Sequence, residues 1–311
     1  MAEIVITEFM DEQAVADLAA DHDVLYDPEL VSRPEAIATA AAEARALIVR
    51  NRTQVTAELL AACPRLCAVG RLGVGLDNIA VEACRERNIA VLPATGANDV
   101  AVAEYVITGA MMLLRGAYHA TDRVAAGEWP RQALSGRETG GTTLGLIGFG
   151  GIARATAERA RPLGMHVLAH DPFVAADDAA WGQLAERADS LEALLAASDV
   201  VSLHVPYTAD THHLIDATAL TRMPAGAVLI NAARGGVVDE AAVAEALHAG
   251  RLGGALLDVF EQEPLPAGSV LADVPNLVLT PHIAGVTRES NVRVSRVTAE
   301  NVRRVLEERR P

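Results

Sequence analysis

The chain has 311 residues, and 26 Lys+Arg against 41 Asp+Glu give it a formal net charge of −15, which repels nucleic-acid backbones. Hydrophobic residues make up 51% of the sequence, a share typical of a globular protein with a large core, and the length predicts two domains. Every one of the 26 basic residues is Arg, so enzymes that need a lysine amine, including Schiff-base, pyridoxal and Walker-loop enzymes, are excluded.

Cysteine usage and apolar stretches point to a cytoplasmic protein. Cys63, Cys67 and Cys84 are odd in number and match no zinc or redox spacing, so we expect buried thiols and no metal. Residues 1–9 lack the basic start and apolar run of a signal peptide. The stretch 100–114 carries Glu104 and is too short to span a membrane, so no membrane partner is expected.

Short β-branched runs alternate with alanine-rich helical segments, which predicts an α/β fold of parallel strands and crossover helices. In the first hundred residues the predicted strands form one small doubly wound unit. They are Ile4–Ile6, Leu47–Val49, Cys67–Val69 and Ile89–Val91.

A single long helix is predicted from Asp99 to about Ala126, bridging two domains. Six further strands then predict a full dinucleotide-binding sheet, and a charged helix over residues 287–310 would return to the first lobe. These strands are Thr143–Ile147, Met165–Ala169, Val200–His204, Ala227–Ile230, Gly254–Asp258 and Leu277–Thr280.

A glycine turn follows the first strand of this second series. Gly148, Gly150 and Ala153 form a G-x-G-x-x-A turn between a strand and a helix, where backbone N–H groups and the helix dipole can bind a pyrophosphate. Asp171 ends the next strand, 23 residues after Gly148, close to the spacing of a ribose-binding acid. Its carboxylate would repel a 2′-phosphate, which predicts NAD rather than NADP. The alternative is that Asp171 only caps a turn before Pro172.

Three polar segments follow later strands of the same sheet. They supply Arg234, Glu263 and His282, in that chain order. Hydride exchange between NAD and a 2-hydroxy acid needs a cation for the carboxylate and a base for the hydroxyl proton, roles that suit Arg234 and His282. Glu263 would orient the imidazole. Taken one at a time, each of these residues could equally be structural or solvated.

Together, the segments Gly148–Ile152, Asn231–Glu240, Leu257–Pro264 and Leu279–Gly285 resemble the NAD-dependent D-2-hydroxyacid dehydrogenase family, to which phosphoglycerate dehydrogenase belongs. The resemblance implies two doubly wound parallel-sheet lobes. A Rossmann NAD-binding domain at 98–285 would be inserted into a flavodoxin-like substrate domain at 1–97 plus 286–311.

The resemblance also assigns roles to individual residues. It implies that Arg234, Glu263 and His282 are catalytic and that the chain has no regulatory domain. Where the family turn usually has a basic residue and a final Gly, this chain has Gly151 and Ala153, which leaves backbone donors for the pyrophosphate. The residues implied to bind the cofactor are Gly148, Gly150, Gly151, Ile152, Asp171, His204, Pro206, Ala232 and Asp258.

Two segments of the first lobe resemble the family's substrate loops. Gly73, Val74 and Gly75 would turn consecutive N–H groups toward the substrate carboxylate. Arg50 and Arg52, two residues apart, would share one side of an extended segment and meet a second anionic group, unless they form surface ion pairs. This favours a D-2-hydroxy acid of the 3-phosphoglycerate or 3-sulfolactate type.

Other functions stay open at this point. One alternative is a glyoxylate or hydroxypyruvate reductase, and another is an NADH-sensing scaffold that binds a protein partner. The segment Gly127–Pro130 is similar to one that takes part in subunit contact in the family, so a homodimer is expected.

Overall fold

A computed structural model of the protein describes residues 2–309. Met1, Arg310 and Pro311, which the predicted substrate domain includes, lie outside the described residues. The chain forms two compact units, residues 2–98 with 286–309 and residues 99–285. The assignment of substrate and NAD binding to these units stays a prediction.

Helices and strands alternate along most of the chain, as the hydrophobic pattern predicts. The strands are β1 (Ile4–Ile6), β2 (Val24–Tyr26), β3 (Ala46–Val49), β4 (Ala68–Arg71), β5 (Ala90–Pro93), β6 (Thr143–Ile147), β7 (His166–His170), β8 (Glu186–Arg187), β9 (Val200–Leu203), β10 (Val228–Asn231), β11 (Gly254–Leu257) and β12 (Leu277–Leu279). The α-helices are α1 (Glu12–Ala19), α2 (Pro34–Ala41), α3 (Ala57–Ala62), α4 (Val81–Glu86), α5 (Asp99–Arg115), α6 (Thr121–Ala125), α7 (Gly151–Ala160), α8 (Leu191–Ala197), α9 (Ala217–Arg222), α10 (Glu240–His248) and α11 (Arg288–Glu308).

The first unit is a five-stranded parallel sheet in the order β2-β1-β3-β4-β5, which is the flavodoxin order. Apolar clusters cover both of its faces. Helix α11 packs on one face with Val302 and Leu306 fully buried. A Cβ on Gly70 of β4 would lie 2.8 Å from Val302, so glycine permits this close packing.

The second unit is a seven-stranded parallel sheet in the order β12-β11-β10-β9-β6-β7-β8. Counted from β6, this is the dinucleotide-binding order with one further strand, β12, at the edge. The strand order reverses at β6, which pairs with β7 on one side and β9 on the other. Open α/β sheets bind ligands beyond the carboxyl ends of the strands at such a switch point. The α/β doubly wound fold class is confirmed.

The predicted single helix from Asp99 to about Ala126 is wrong. Helix α5 ends at Arg115, Gly116 has a φ of +64°, and α6 is a separate five-residue helix. A left-handed glycine ends a helix at low cost, and the surrounding apolar pattern conceals it. The short strands β2 and β8 were not predicted. Within residues 2–309, no helix is long and apolar enough to cross a membrane.

Candidate active site

The glycine turn after β6 leads directly into α7. Gly148 has a φ of +88°, and a Cβ there would lie 2.5 Å from the carbonyl oxygen of His204, so the turn requires glycine. Gly150 is the N-cap of α7 and makes no side-chain cap hydrogen bond. Because glycine has no side chain, the first N–H groups of α7 lack a side-chain cap, which suits them to a phosphate ligand.

Phe149, between these glycines, holds the turn against the unit. Its ring is fully buried and stacks on Trp181 with centroids 4.5 Å apart. Arg154 donates from Nε to the Phe149 carbonyl at 3.0 Å and is ion-paired to Asp178 at 2.8 Å. The turn therefore has a fixed backbone before any ligand binds.

Asp171 lies beside the glycine turn. Its Oδ2 accepts the Phe149 N–H and its Oδ1 accepts the Phe173 N–H, both at 2.8 Å. Turn capping, considered above as an alternative role for Asp171, does occur. Each carboxylate oxygen has two lone pairs, so both oxygens can still accept a ribose hydroxyl.

The other predicted cofactor residues follow the same strands. His204 accepts or donates at Nε2 to Ser202 Oγ at 3.0 Å, and burial lowers the pKa of His204 to about 4, so its imidazole is neutral. Ile152 and Ala232 pack half-buried on the apolar cluster beneath α7. Pro206 is exposed, and its carbonyl accepts from Thr211. Their roles toward a cofactor stay predictions.

Arg234 lies on a loop that Asn231 holds closed. Asn231, only 1% exposed, donates to the Arg234 carbonyl at 2.9 Å and accepts the Ala233 N–H at 3.0 Å. A Cβ on Gly235 would lie 1.7 Å from the Phe260 carbonyl oxygen. The glycine therefore lets the Arg234 loop lie directly against the loop that carries Glu263.

Glu263 and His282 form a hydrogen-bonded pair. Glu263 Oε2 lies 2.8 Å from His282 Nδ1, and Oε1 accepts the Phe260 N–H at 3.1 Å. Burial acts to raise the pKa of Glu263, but the His282 hydrogen bond and charge, with smaller effects of the Phe260 N–H and Arg234, hold it below its usual value. The side chains are 42% and 35% exposed for His282 and Glu263, so a small molecule can reach the imidazole.

Asp258 fixes the His282 loop rather than facing solvent. Its side chain is buried, and its oxygens accept from Thr280 Oγ1 at 2.6 Å and from the Ile283 and Ala284 N–H groups at 2.8 Å. The His282 N–H donates to the Asp258 carbonyl at 2.8 Å. These contacts hold His282 at a φ of +53°, a left-handed conformation that costs a non-glycine residue of the order of 1–2 kcal/mol.

Tyr105 and Thr280 extend this network, and the sequence did not indicate either as a site residue. The Tyr105 hydroxyl hydrogen-bonds Thr280 Oγ1, which in turn donates to Asp258. Burial raises the pKa of Tyr105 to about 12, so the phenol keeps its proton. Thr280 lies within the motif Leu279–Gly285, which carries no signal for this contact, and Tyr105 lies outside every motif named above.

In the first unit, the loop after β3 carries Arg50 and Arg52. Arg50 is half-buried and donates from its guanidinium to Asn291 Oδ1 at 2.7 Å. Arg52 is exposed, and no ion pair between it and an acid is found among residues 2–309. Neither arginine therefore forms the surface ion pair that was the alternative.

The glycine loop after β4 differs in one respect from the prediction. The Gly73 N–H donates to the Arg71 carbonyl at 2.8 Å, so it is not available to an anion. Val74 and Gly75 keep N–H groups without a hydrogen-bond partner in the described part of the chain. An anion nest at this loop would therefore use the N–H groups of Val74 and Gly75 only, and this role stays a prediction.

Arg71 is a third arginine at this end of the sheet. It pairs in register with Val49, the residue before Arg50. Gly73 has a φ of +150°, and a Cβ there would lie 1.6 Å from Arg71 NH1, so the guanidinium lies over the glycine. The sequence signal for Arg71 is a cation that ends the strand next to that of Arg50.

Comparisons with known proteins identify the chain. The family model for the D-isomer specific 2-hydroxyacid dehydrogenase NAD binding domain matches residues 107–284. The chain is 63% identical over 306 residues to (S)-sulfolactate dehydrogenase of Chromohalobacter salexigens, covering 98% of this chain and 99% of that protein. This chain belongs to the D-isomer specific 2-hydroxyacid dehydrogenase family.

Two further known proteins are less similar to this chain. D-3-phosphoglycerate dehydrogenase of Archaeoglobus fulgidus is 41% identical over 83% of this chain, and this chain spans 48% of that protein. The crystal structure of Aquifex aeolicus D-lactate dehydrogenase complexed with NAD and lactic acid matches with a TM-score of 0.84 at 29% identity, covering 98% of this chain and 96% of that one.

The family assignment makes this chain an NAD-dependent 2-hydroxyacid dehydrogenase, as predicted. The residues present fit the cofactor. The uncapped start of α7, which follows the turn at Gly148, offers N–H groups to a pyrophosphate, and Asp171 offers acceptors to ribose hydroxyls. Among residues 2–309, no group of three or more His, Cys, Asp and Glu side chains is placed to hold a metal ion.

Proposed function

We propose that this protein interconverts a D-2-hydroxy acid carrying a second anionic group with the corresponding 2-keto acid. A 3-sulfolactate-type acid is the first candidate, and 3-phosphoglycerate is the second. The observation that carries the proposal is the concentration of Arg50, Arg52 and Arg71 at the carboxyl ends of β3 and β4. Guanidinium forks match sulfonate and phosphate oxygens in geometry and charge, whereas an uncharged substrate tail can form no charge-assisted hydrogen bond with them.

The relatives support the same substrate class. The chain is 63% identical to a protein named (S)-sulfolactate dehydrogenase. In the priority rules that assign (R) and (S) labels, the sulfomethyl group ranks above the carboxyl group because sulfur has a higher atomic number than oxygen. The methyl group of lactate ranks below the carboxyl group. The (S) label of sulfolactate therefore describes the same spatial arrangement as D-lactate, which agrees with a D-isomer specific family.

Roles for the reacting residues follow from their geometry. Arg234 would hold the substrate carboxylate and polarise the reacting oxygen. His282 would take the hydroxyl proton at Nε2, since its Nδ1 is committed to Glu263 at 2.8 Å. Glu263, with its lowered pKa, would stay ionised and stabilise the protonated imidazole. When bound, NAD supplies the hydride acceptor.

A substrate panel tests the proposal. Steady-state rates would be measured with 3-sulfolactate, 3-phosphoglycerate, D-lactate and glycolate in one direction, and with glyoxylate and hydroxypyruvate in the other. A kcat/KM for one of the two tail-bearing acids at least about tenfold above that for D-lactate is expected. A preference for glyoxylate or hydroxypyruvate would instead support the reductase function, and NADH binding without turnover of any acid would support a scaffold.

We also propose a cytoplasmic homodimer. Trp129, which lies within the segment Gly127–Pro130 that is similar to a subunit contact, is 76% exposed, and Tyr118, nine residues before that segment, is 67% exposed. Large exposed aromatic side chains are typical of an association surface. Light scattering of the intact protein and of a Trp129→Ser variant tests this, and a monomeric wild type would refute it.

A further inference from the structure

Glu8 is a buried acid just after β1, outside every motif discussed above. The residue is only 4% exposed to solvent. The carboxylate accepts three backbone N–H groups from one loop: Oε1 accepts from Arg50 and Thr53, each at 2.9 Å, and Oε2 accepts from Arg52 at 3.2 Å. Burying a carboxylate is costly unless hydrogen bonds of this kind compensate it.

Asn78 holds the carbonyl groups of the same loop. Its amide Nδ2 donates to the Thr53 carbonyl at 2.6 Å and to the Arg50 carbonyl at 3.3 Å. The Thr53 hydroxyl also lies 2.9 Å from that of Thr7. The loop thus has no strand or helix hydrogen bonds of its own, and side chains from distant parts of the first unit determine its backbone.

The side chain of Arg50 is held as well. One guanidinium nitrogen donates to Asn291 Oδ1 at 2.7 Å. Burial lowers the pKa of Arg50, and the negative charge of Glu8 opposes that shift. Glu8 therefore acts on Arg50 in two ways. Its carboxylate accepts the backbone N–H of Arg50, and its negative charge favours the charged guanidinium.

We infer that Glu8 is a positioning residue that presents Arg50 and Arg52 to the anionic tail of the substrate. Glu8 itself does not touch the substrate. A loop fixed only at its own two ends would allow the two guanidinium groups many arrangements. Three N–H contacts to one carboxylate instead fix the spacing of Arg50, Arg52 and Thr53. This inference rests on the proposed function.

The test is Glu8→Gln. Glutamine has the same shape, so its oxygen can keep the Arg50 and Thr53 N–H contacts, but its amide NH2 then faces the Arg52 N–H, which is also a donor. We expect KM for 3-sulfolactate or 3-phosphoglycerate to rise about tenfold with kcat within about twofold, and both constants for D-lactate to stay close to wild type.

Glu3→Gln is the matched control, because Glu3 lies at the opposite end of the same strand. It pairs with Arg45 at 2.6 Å and with His22 at 2.9 Å. The control should lower the unfolding midpoint without changing the preference for the tail. Glu8→Asp keeps the charge on a shorter side chain and should show a smaller rise in KM. It replaces Glu8→Gln as the test variant if Glu8→Gln does not fold.

The outcomes separate the two proposals. A wild-type enzyme without a preference for tail-bearing acids would overturn the proposed function. A wild type with that preference, in which Glu8→Gln or Glu8→Asp lowers kcat/KM equally for acids with and without a tail, would overturn the positioning role and leave Glu8 a stability residue only.

Discussion

Each unit has a buried carboxylate just beyond the carboxyl end of a parallel strand, Glu8 after β1 and Asp258 after β11, and the two acids hold different kinds of loop. In the second unit, Asp258 accepts from Thr280, Ile283 and Ala284 and so fixes the loop of His282. In the first unit, Glu8 accepts from the loop of Arg50 and Arg52. Each acid follows a parallel strand and is nearly inaccessible to solvent.

The difference lies in what each loop carries. The Asp258 loop carries the imidazole that we propose transfers a proton for every substrate. The Glu8 loop carries the guanidinium groups that we propose select the substrate. Under these proposals, one arrangement of hydrogen bonds would support rate in one unit and selectivity in the other, and the two effects can be measured separately.

The largest expected effect is that of His282→Ala. Removing the proposed base should lower kcat by about a thousandfold for every acid that the enzyme oxidises. The dissociation constant of NADH, measured by its fluorescence, should stay near wild type because the glycine turn is unaffected. A variant that keeps more than about a tenth of the rate would exclude His282 as the base.

Asp258→Asn should come next. The amide NH2 would face the Ile283 or Ala284 N–H, so we expect the free energy of unfolding to fall by about 1–3 kcal/mol. A displaced His282 loop should also lower kcat by about a hundredfold, equally for acids with and without an anionic tail. Urea unfolding and steady-state rates on the same preparation measure both. A loss confined to tail-bearing acids would contradict the comparison.

Arg50→Ala should affect selectivity instead. Losing one charge-assisted contact should cost about 1.5–3 kcal/mol of transition-state binding, or roughly ten- to a hundredfold in kcat/KM for the tail-bearing acid. The constants for D-lactate should change little. Asn291→Ala, which removes only the group that holds the guanidinium, is the matched control and should show a smaller change in the same direction.

The smallest effect concerns acid stability. The pKa of Glu263 is lowered from 4.5 in the folded protein, so its stabilising contribution is present in full above about pH 4.5 and is lost as the pH falls through the folded-state value. Because the pair is partly exposed, the effect is modest. The unfolding midpoints of wild type and Glu263→Gln should differ at pH 7 and converge once the pH has fallen below the folded-state pKa of Glu263. A constant difference would contradict this.

Sequence patterns predicted the features that depend on local chemistry. The turn at Gly148 and the acid at Asp171 form one spaced motif, and the strand ends before Arg234, Glu263 and His282 follow from the alternation of strands and helices. The register of β10, β11 and β12 then brings their following loops together at one edge of the sheet. The roles of these residues stay predictions until the variants are measured.

The residues that support the site could not be predicted in the same way. Glu8 meets backbone N–H groups more than forty positions away, and any loop sequence offers such N–H groups. Tyr105 lies in an apolar helix, and its link to Asp258 passes through Thr280. The break at Gly116 was missed because apolar residues continue on both sides of it.

Gly235 has a consequence for engineering. Because its backbone lies against the Phe260 carbonyl with no space for a methyl group, the two loops that carry Arg234 and Glu263 are sterically interlocked. Replacing one of them with the counterpart from a homologue would mismatch this junction. Exchanges between family members should therefore graft the segments after β10 and β11 together, as a single cassette.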